Sequence, residues 1–256
     1  MNFAQCPLGP FDIPLIFVSL PQLLSALLIT IQYVALSLAV GFVLTVPLAL
    51  MRLSKKRWIS MPVYAYTYLF RGTPLIIQLF IIYYGGGQFE WVQDTILWPY
   101  LREAFWCCLI AFTLNTTAYT TEILRGAIAN VPHGEIEAAR ACGMSKWLQY
   151  RRIILPRAFR LMLPTYSNEV IFMLQATAIA STVGTATASL DLTGAARVII
   201  ATSFAPYEIF LTIAAIYLGL TYLIDFGFRG VEHALSGHLR DRPASAAEGA
   251  MIPGLR

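Results

Sequence analysis

Long apolar runs set the pattern of this chain. Residues 23–51 contain no charged side chain, and the run stops at Arg52 and the triplet Lys55, Lys56 and Arg57. About 20 apolar residues at about 1.5 Å per residue carry a helix across a hydrocarbon core. The run therefore predicts a first membrane-spanning helix. A second is expected over 60–84, interrupted by a single arginine, Arg71, and closed by Gly85, Gly86 and Gly87. A third covers 104–124, a fourth follows Pro164 over 165–188, and a fifth covers 207–228. Between the second and third, residues 89–103 hold Trp91, Trp98 and Tyr100, as a short helix in the interfacial aromatic belt would. The expected fold is an all-α integral membrane protein with about five transmembrane helices.

Composition excludes the soluble alternative. Of 256 residues 57% are hydrophobic and 12% charged, too few charges to coat a soluble domain of this size. The net charge of +4 matters less than where the cations fall. Fifteen of the 18 Lys and Arg residues lie on one side of the expected spans, after spans one, three and five. By the positive-inside rule that side is cytoplasmic and the N-terminus periplasmic. The layout expected is a periplasmic N-terminal segment (1–22), a transmembrane domain (23–235) and a cytoplasmic tail (236–256), expected to be disordered. The N-terminus lacks a basic stretch and holds Pro7, Gly9, Pro10 and Pro14, a poor signal peptide. Cys6, Cys107, Cys108 and Cys142 show no CxxC spacing, so neither a disulfide framework nor a metal site is expected. No phosphate-binding GxxxxGK[ST] loop and no nucleophile–base or HExxH constellation occurs, so no catalytic residues and no resident cofactor are expected. The basic residues belong to membrane-flanking loops, and a lipid bilayer rather than a nucleic acid is the expected partner.

The longest charged loop has internal structure. Pro132 and Gly134 open it, the run from Glu135 to Cys142 favours a helix, and Gly143 stops that helix as a C′ glycine would. Ser145 caps a second short helix, which Pro156 is expected to end. Amphipathicity alone leaves two readings open: a hairpin lying on anionic headgroups, or a knob that docks on a partner.

The residues of the loop fit a known pattern. Glu137, Ala138 and Ala139, then Gly143 three residues on, then Ile153, Leu155 and Pro156 after nine more, read EAA-x3-G-x9-I-x-LP. This resembles the EAA loop of permease subunits in ATP-binding-cassette (ABC) importers. The resemblance implies a type I ABC importer fold in the bacterial inner membrane, with the loop (about 132–156) coupling to an ABC ATPase dimer that holds ATP and Mg. It further implies a second permease subunit, expected to be a related chain in a heterodimer, and a periplasmic substrate-binding protein. Phe70 to Leu75, Leu114 to Ile123 and Tyr166 to Ile171 are similar to the polar amino-acid permeases of histidine, arginine and opine uptake systems. Trp98 to Arg102 with Trp106 and Cys107 look most like the octopine and nopaline members. An ATP-independent ion-coupled carrier or small channel is the rival from another class.

Ionisable residues within spans mark candidate substrate sites. Arg71 lies about 20 Å beyond Arg57, and Glu169 about 14 Å beyond Arg160, on straight helices. Both depths approach the midplane, where transporters place substrates. A guanidinium can fork onto an α-carboxylate, and Glu169 can accept a guanidinium or imidazolium. At similar depth lie Thr73, Gln78, Asn115, Tyr119, Asn168, Gln175 and Thr177, which complete the candidate set. Gly72, Thr73 and Pro74 are expected to break their helix and free backbone groups. Arg71 and Glu169 pairing with each other, or polar groups gluing helices, is the structural alternative. Glu122 is expected to form an interfacial i,i+3 ion pair with Arg125. Glutamine-type relatives carry a Lys-Asp-Thr-Ser run where this chain has Gln175, Ala176, Thr177 and Ala178, which favours a basic amino acid or its opine conjugate as cargo.

Overall fold

The uncharged N-terminal run forms a single 40-residue helix, α1 (Ile13–Arg52), that carries Pro21 and Pro47 within it. It begins ten residues before the predicted span. The chain is described here in a computed structural model over residues 13–183 and 190–236, and those residues form helices, turns and no strand. The predicted tail and the end of the fourth span (to residue 188) fall wholly or partly outside the described residues.

The second apolar run folds as α2 (Arg57–Gly72) and α3 (Leu75–Phe80), the latter continued by a π-turn (Ile81–Gly85). The chain direction bends by 107° between the two halves. Pro74 causes the break, because it has no N–H and forces its predecessor out of the helical region. Thr73 is accordingly extended, with φ −118° and ψ 145°. Two four-residue helices, α4 (Glu90–Gln93) and α5 (Trp98–Leu101), occupy the predicted interfacial segment. There follow α6 (Ala104–Ala129), α7 (His133–Ala141), α8 (Lys146–Gln149), α9 (Leu155–Ala176), α10 (Leu192–Ser203) and α11 (Pro206–Ser236).

Pro156 does not end the loop's second helix. A π-turn (Tyr150–Ile154) runs directly from α8 into α9, and Pro156 stands at the start of α9. The wider π hydrogen bond, Leu155 N–H to Tyr150 O, lets the helix pass a residue that cannot donate to Arg152. Pro164 likewise lies inside α9 rather than before it. Helix α10 was not expected. Asp191 starts it by accepting from the N–H groups of Thr193 (3.0 Å) and Gly194 (3.2 Å), and Phe204 ends it in the left-handed region at φ 55°.

By length and composition α1 and α11 suit a membrane crossing, and the bent α2–α3 pair makes a third when its two halves are counted as one span. Helices α6 and α9, of 26 and 22 residues, are long enough but less apolar. The reason for α6 is its place: it is sheathed by α1, α2 and α9, with Cys107, Phe112, Ala118 and Leu124 buried along it. A helix covered by protein needs no uniformly apolar coat. Lipid tails remove most of the hydrophobic drive for helix association, so close packing by small residues decides such contacts. Gly41 of α1 shows it: a Cβ there would come within 3.0 Å of Thr116 Cγ2 and 3.1 Å of Thr117 Oγ1. Three apolar clusters follow along the bundle, around Leu23 with Leu192 and Ile209, around Tyr33 with Phe112 and Met173, and around Ala49 with Leu124 and Ile154.

Candidate functional site: a charged cavity and an exposed helical knob

The break in the second span opens a cavity of about 640 Å³ between α2–α3, α6 and α9. Arg71, Gly72, Thr73, Pro74 and Leu75 form one wall. Asn115 and Tyr119, one helical turn apart on α6, form the second. Glu169, Phe172, Met173 and Ala176 form the third, with Ile179 beyond them. On α9 these are positions i, i+3, i+4 and i+7, one face of a helix.

Arg71 stands beside Tyr119, its guanidinium carbon 5.3 Å from the ring centroid, a cation–π contact. The Tyr119 hydroxyl donates to the Arg71 carbonyl at 3.4 Å. Glu169 is buried and accepts from the Thr116 hydroxyl at 3.2 Å. Arg71 and Glu169 face the same cavity, yet no ion pair within 4.0 Å joins them among the described residues. The pairing alternative is therefore not what the chain adopts. The Arg71 guanidinium rests on the Tyr119 ring and the Glu169 carboxylate on the Thr116 hydroxyl, and both residues line the same cavity.

Of the nine candidate substrate residues, Arg71, Thr73, Asn115, Tyr119 and Glu169 line the cavity. Gln78 is buried behind the break. Asn168 and Gln175 are exposed on other faces of α9, since one and six residues from Glu169 are poor multiples of a helical turn. Thr177 is buried, and its hydroxyl donates to the Leu174 carbonyl at 2.6 Å. Sequence reasoning missed Thr116 and the apolar lining Phe172 and Met173, while Ala176, singled out for its bearing on the cargo, does line the cavity. The i+3 and i+4 spacing from Glu169 was the available signal for Phe172 and Met173.

Glu122 does more than pair with Arg125. Its Oε2 lies 2.6 Å from Arg125 Nε, while Oε1 lies 3.1 Å from Arg52 Nε and accepts from the Thr67 hydroxyl at 3.1 Å. One carboxylate thus joins α1, α2 and α6. Arg52 also stacks on Tyr64 at 4.7 Å.

The loop forms a knob built from α7 and α8. Gly143 ends α7 at φ +72°, where Met144 N–H bonds Ala139 O (3.1 Å) and Gly143 N–H bonds Arg140 O (2.9 Å). This is a Schellman cap, which needs a residue free to adopt the left-handed region. Ser145 then caps α8 by accepting from Leu148 N–H at 3.4 Å, as expected. Glu137, Ala138 and Pro156 are exposed, and Ile153 and Leu155 are half-buried. Ala139 is buried against its own chain, so of the two alanines only Ala138 is presented outward. Trp147 stands 69% exposed beside this surface, and a 3.7 Å contact between Glu135 and Arg157 ties α7 to α9.

A broken span opening onto a bundle cavity, with a capped helical knob at the end of the central helix, is the build of a transporter permease. The family model of the binding-protein-dependent transport system inner membrane component matches residues 37–237, and the chain belongs to that family. It is 44% identical to the octopine transport system permease protein OccM of Rhizobium meliloti, over 93% of this chain and 97% of that one. It is 45% identical to the nopaline transport system permease protein NocM of Agrobacterium fabrum (92% and 97% covered). It is 46% identical to the histidine/lysine/arginine/ornithine transport system permease protein HisM of Escherichia coli K12 (83% and 88%). Among solved structures it resembles an amino acid ABC transporter crystallised with histidines, at 33% identity and TM-score 0.73, covering 84% of this chain and 94% of that one. The methionine transporter MetNI, at 18% identity and TM-score 0.63 (87% and 98% covered), shares the fold. The chain is thus an inner-membrane permease subunit with the type I ABC importer fold. Its family works with a separate ATPase and a substrate-binding protein rather than as an ion-coupled carrier.

Proposed function

We propose that this permease conducts a cationic amino acid or its opine conjugate, with Arg71 receiving the α-carboxylate and Glu169 the cationic side chain. The observation that carries this reading is that Arg71 and Glu169 line one cavity from two different walls without forming an ion pair. Charges at membrane depth are costly unless paired. A solute bearing a carboxylate and a guanidinium or imidazolium completes both pairs at once. The Asn115 amide oxygen adds a polar acceptor, and the apolar wall of Phe172 and Met173 suits an aliphatic stem. The cargo named for the relatives, from octopine and nopaline to arginine and histidine, supports this class.

The chain itself does no covalent chemistry. ATP and Mg bind on a separate ATPase dimer, which docks on the exposed Glu137 and Ala138 surface of the knob. A second, related permease chain completes the pathway, and a periplasmic protein delivers cargo. Five crossings, by α1, the α2–α3 pair, α6, α9 and α11, put the N-terminus outside and the knob and tail inside. The permease domain then spans 23–235, and Thr73, Gln78, Asn168, Gln175 and Thr177 are outside the direct contact set, the Thr73 hydroxyl being committed to the Leu69 carbonyl and to Gln78. ATP-driven closure of the ATPases moves the knob and rocks the bundle between inward- and outward-facing states.

The test is stimulation of ATPase activity by loaded binding protein in proteoliposomes, across arginine, histidine, ornithine, octopine and nopaline. Stimulation by one or more of these and not by glutamine is expected. Stimulation by glutamine alone would overturn the reading.

A further inference from the structure

Breaking a span at Pro74 leaves backbone carbonyls without partners inside the bundle. Phe70 O would accept from residue 74 in a continuous helix, and proline has no N–H. Unsatisfied carbonyls at membrane depth are strongly unfavourable. Side chains meet the demand here. Gln78 Nε2 donates to Phe70 O (2.8 Å), Thr73 O (3.0 Å) and Thr73 Oγ1 (2.8 Å), its two N–H groups shared over three acceptors. Asn115 Nδ2 donates to Phe70 O (3.3 Å) and to Gln78 Oε1 (3.1 Å), which anchors the clamp to α6. Arg71 lies between the carbonyls of Phe70 and Thr73 that Gln78 holds.

We infer that Gln78 is a positioning residue: it sets the angle of the broken span and thereby holds Arg71 toward the cavity without touching cargo. The inference rests on the reading of Arg71 as the carboxylate-binding group. A buried amide with all its donors and its acceptor committed to the protein has nothing left to offer a solute. The bend is one rigid unit made of Pro74, Gln78 and Asn115, and Arg71 inherits its direction from that unit.

The test is equilibrium binding of radiolabelled arginine and citrulline to the assembled transporter in nanodiscs, together with its maximal stimulated ATPase rate. Gln78→Met keeps length and bulk but removes the donors. It is expected to weaken arginine about ten-fold, the range of one or two lost hydrogen bonds. The arginine-to-citrulline ratio and the maximal rate stay unchanged, because Glu169 is untouched. Combined with Arg71→Ala, Gln78→Met adds no further weakening. Unchanged arginine affinity in Gln78→Met, a shifted arginine-to-citrulline ratio, or multiplicative effects with Arg71→Ala would overturn the inference. An Arg71→Ala variant that binds arginine normally would instead overturn the carboxylate reading itself, and this inference with it. If Gln78→Met does not assemble, Thr73→Val decides the matter: it removes one acceptor of the clamp and gives a smaller weakening with the ratio intact, or refutes the clamp by having no effect.

Discussion

Replacing Glu122 with alanine takes away the carboxylate that Arg52, Arg125 and Thr67 share. The side chains are 11% exposed for Glu122, 22% for Arg52 and 35% for Arg125, so the cluster lies between a buried and a surface site. Truncating one partner of a buried pair costs about 3–5 kcal/mol, whereas an exposed pair contributes about 0–1. Two partly sheltered guanidiniums lose their carboxylate, while the Thr67 hydroxyl keeps the Tyr64 carbonyl at 3.1 Å, which places the cost at about 2–3 kcal/mol. For a chain of this size that lowers the midpoint of thermal unfolding by about 4–12 °C. The assay is thermal unfolding of the assembled transporter in detergent, compared at equal protein and lipid content. Glu122→Gln keeps one acceptor oxygen, turns the other position into a donor and removes the charge, and is expected to fall between the alanine variant and the native chain. Arg52→Ala should cost less in the Glu122→Ala background than alone, since its partner is already gone. A Glu122→Ala midpoint within about 1 °C of native, or strictly additive losses, would show that the carboxylate does not join the three helices.

Gly41→Val drives a branched side chain into Thr116 and Thr117, which already lie at the limit of contact for a Cβ. Overpacking of this kind costs about 1–3 kcal/mol, visible as a lower midpoint of thermal unfolding, while an unchanged midpoint would deny the close approach of α1 and α6. Gly143→Val forces a β-branched residue into φ +72° at a cost of about 1–2 kcal/mol. The coupled, binding-protein-stimulated ATPase rate should fall while assembly of the permease persists; an unaltered stimulated rate would separate the cap from coupling. Glu137→Lys should abolish co-purification of the ATPase from detergent without lowering the yield of permease, and retained ATPase would move the docking surface elsewhere.

Local features were legible in the sequence, and long-range ones were not. The uncharged run before Arg52, the glycine at the end of α7 and the Ser145 cap each act over a few residues, and each appears in the fold. Pro74 likewise announces its break, yet the break defeats any depth reckoned along a straight helix. Gln78 stands one heptad after Arg71, which on an unbroken helix would share its face. The 107° turn between them puts Gln78 behind the cavity wall instead. The Glu122 cluster draws Arg52 from 70 residues away and Thr67 from 55, distances that no helical period encodes. Helix α10 had a signal in Asp191 followed by Thr193 and Gly194, obscured because its 12 residues are too few for a crossing. Pro156 misled in the opposite direction, because a π-turn accommodates it.

The central claim is that Glu169 reads the cationic end of the cargo. Arginine and citrulline are nearly the same shape and differ in that one ends in a guanidinium and the other in a neutral ureido group. Their binding to the assembled transporter in nanodiscs, free of binding protein, therefore isolates the charge. The native chain should prefer arginine, and Glu169→Gln should erase about ten-fold or more of that preference by weakening arginine while sparing citrulline. Equal weakening of both ligands, or a preference that survives the substitution, would contradict the account.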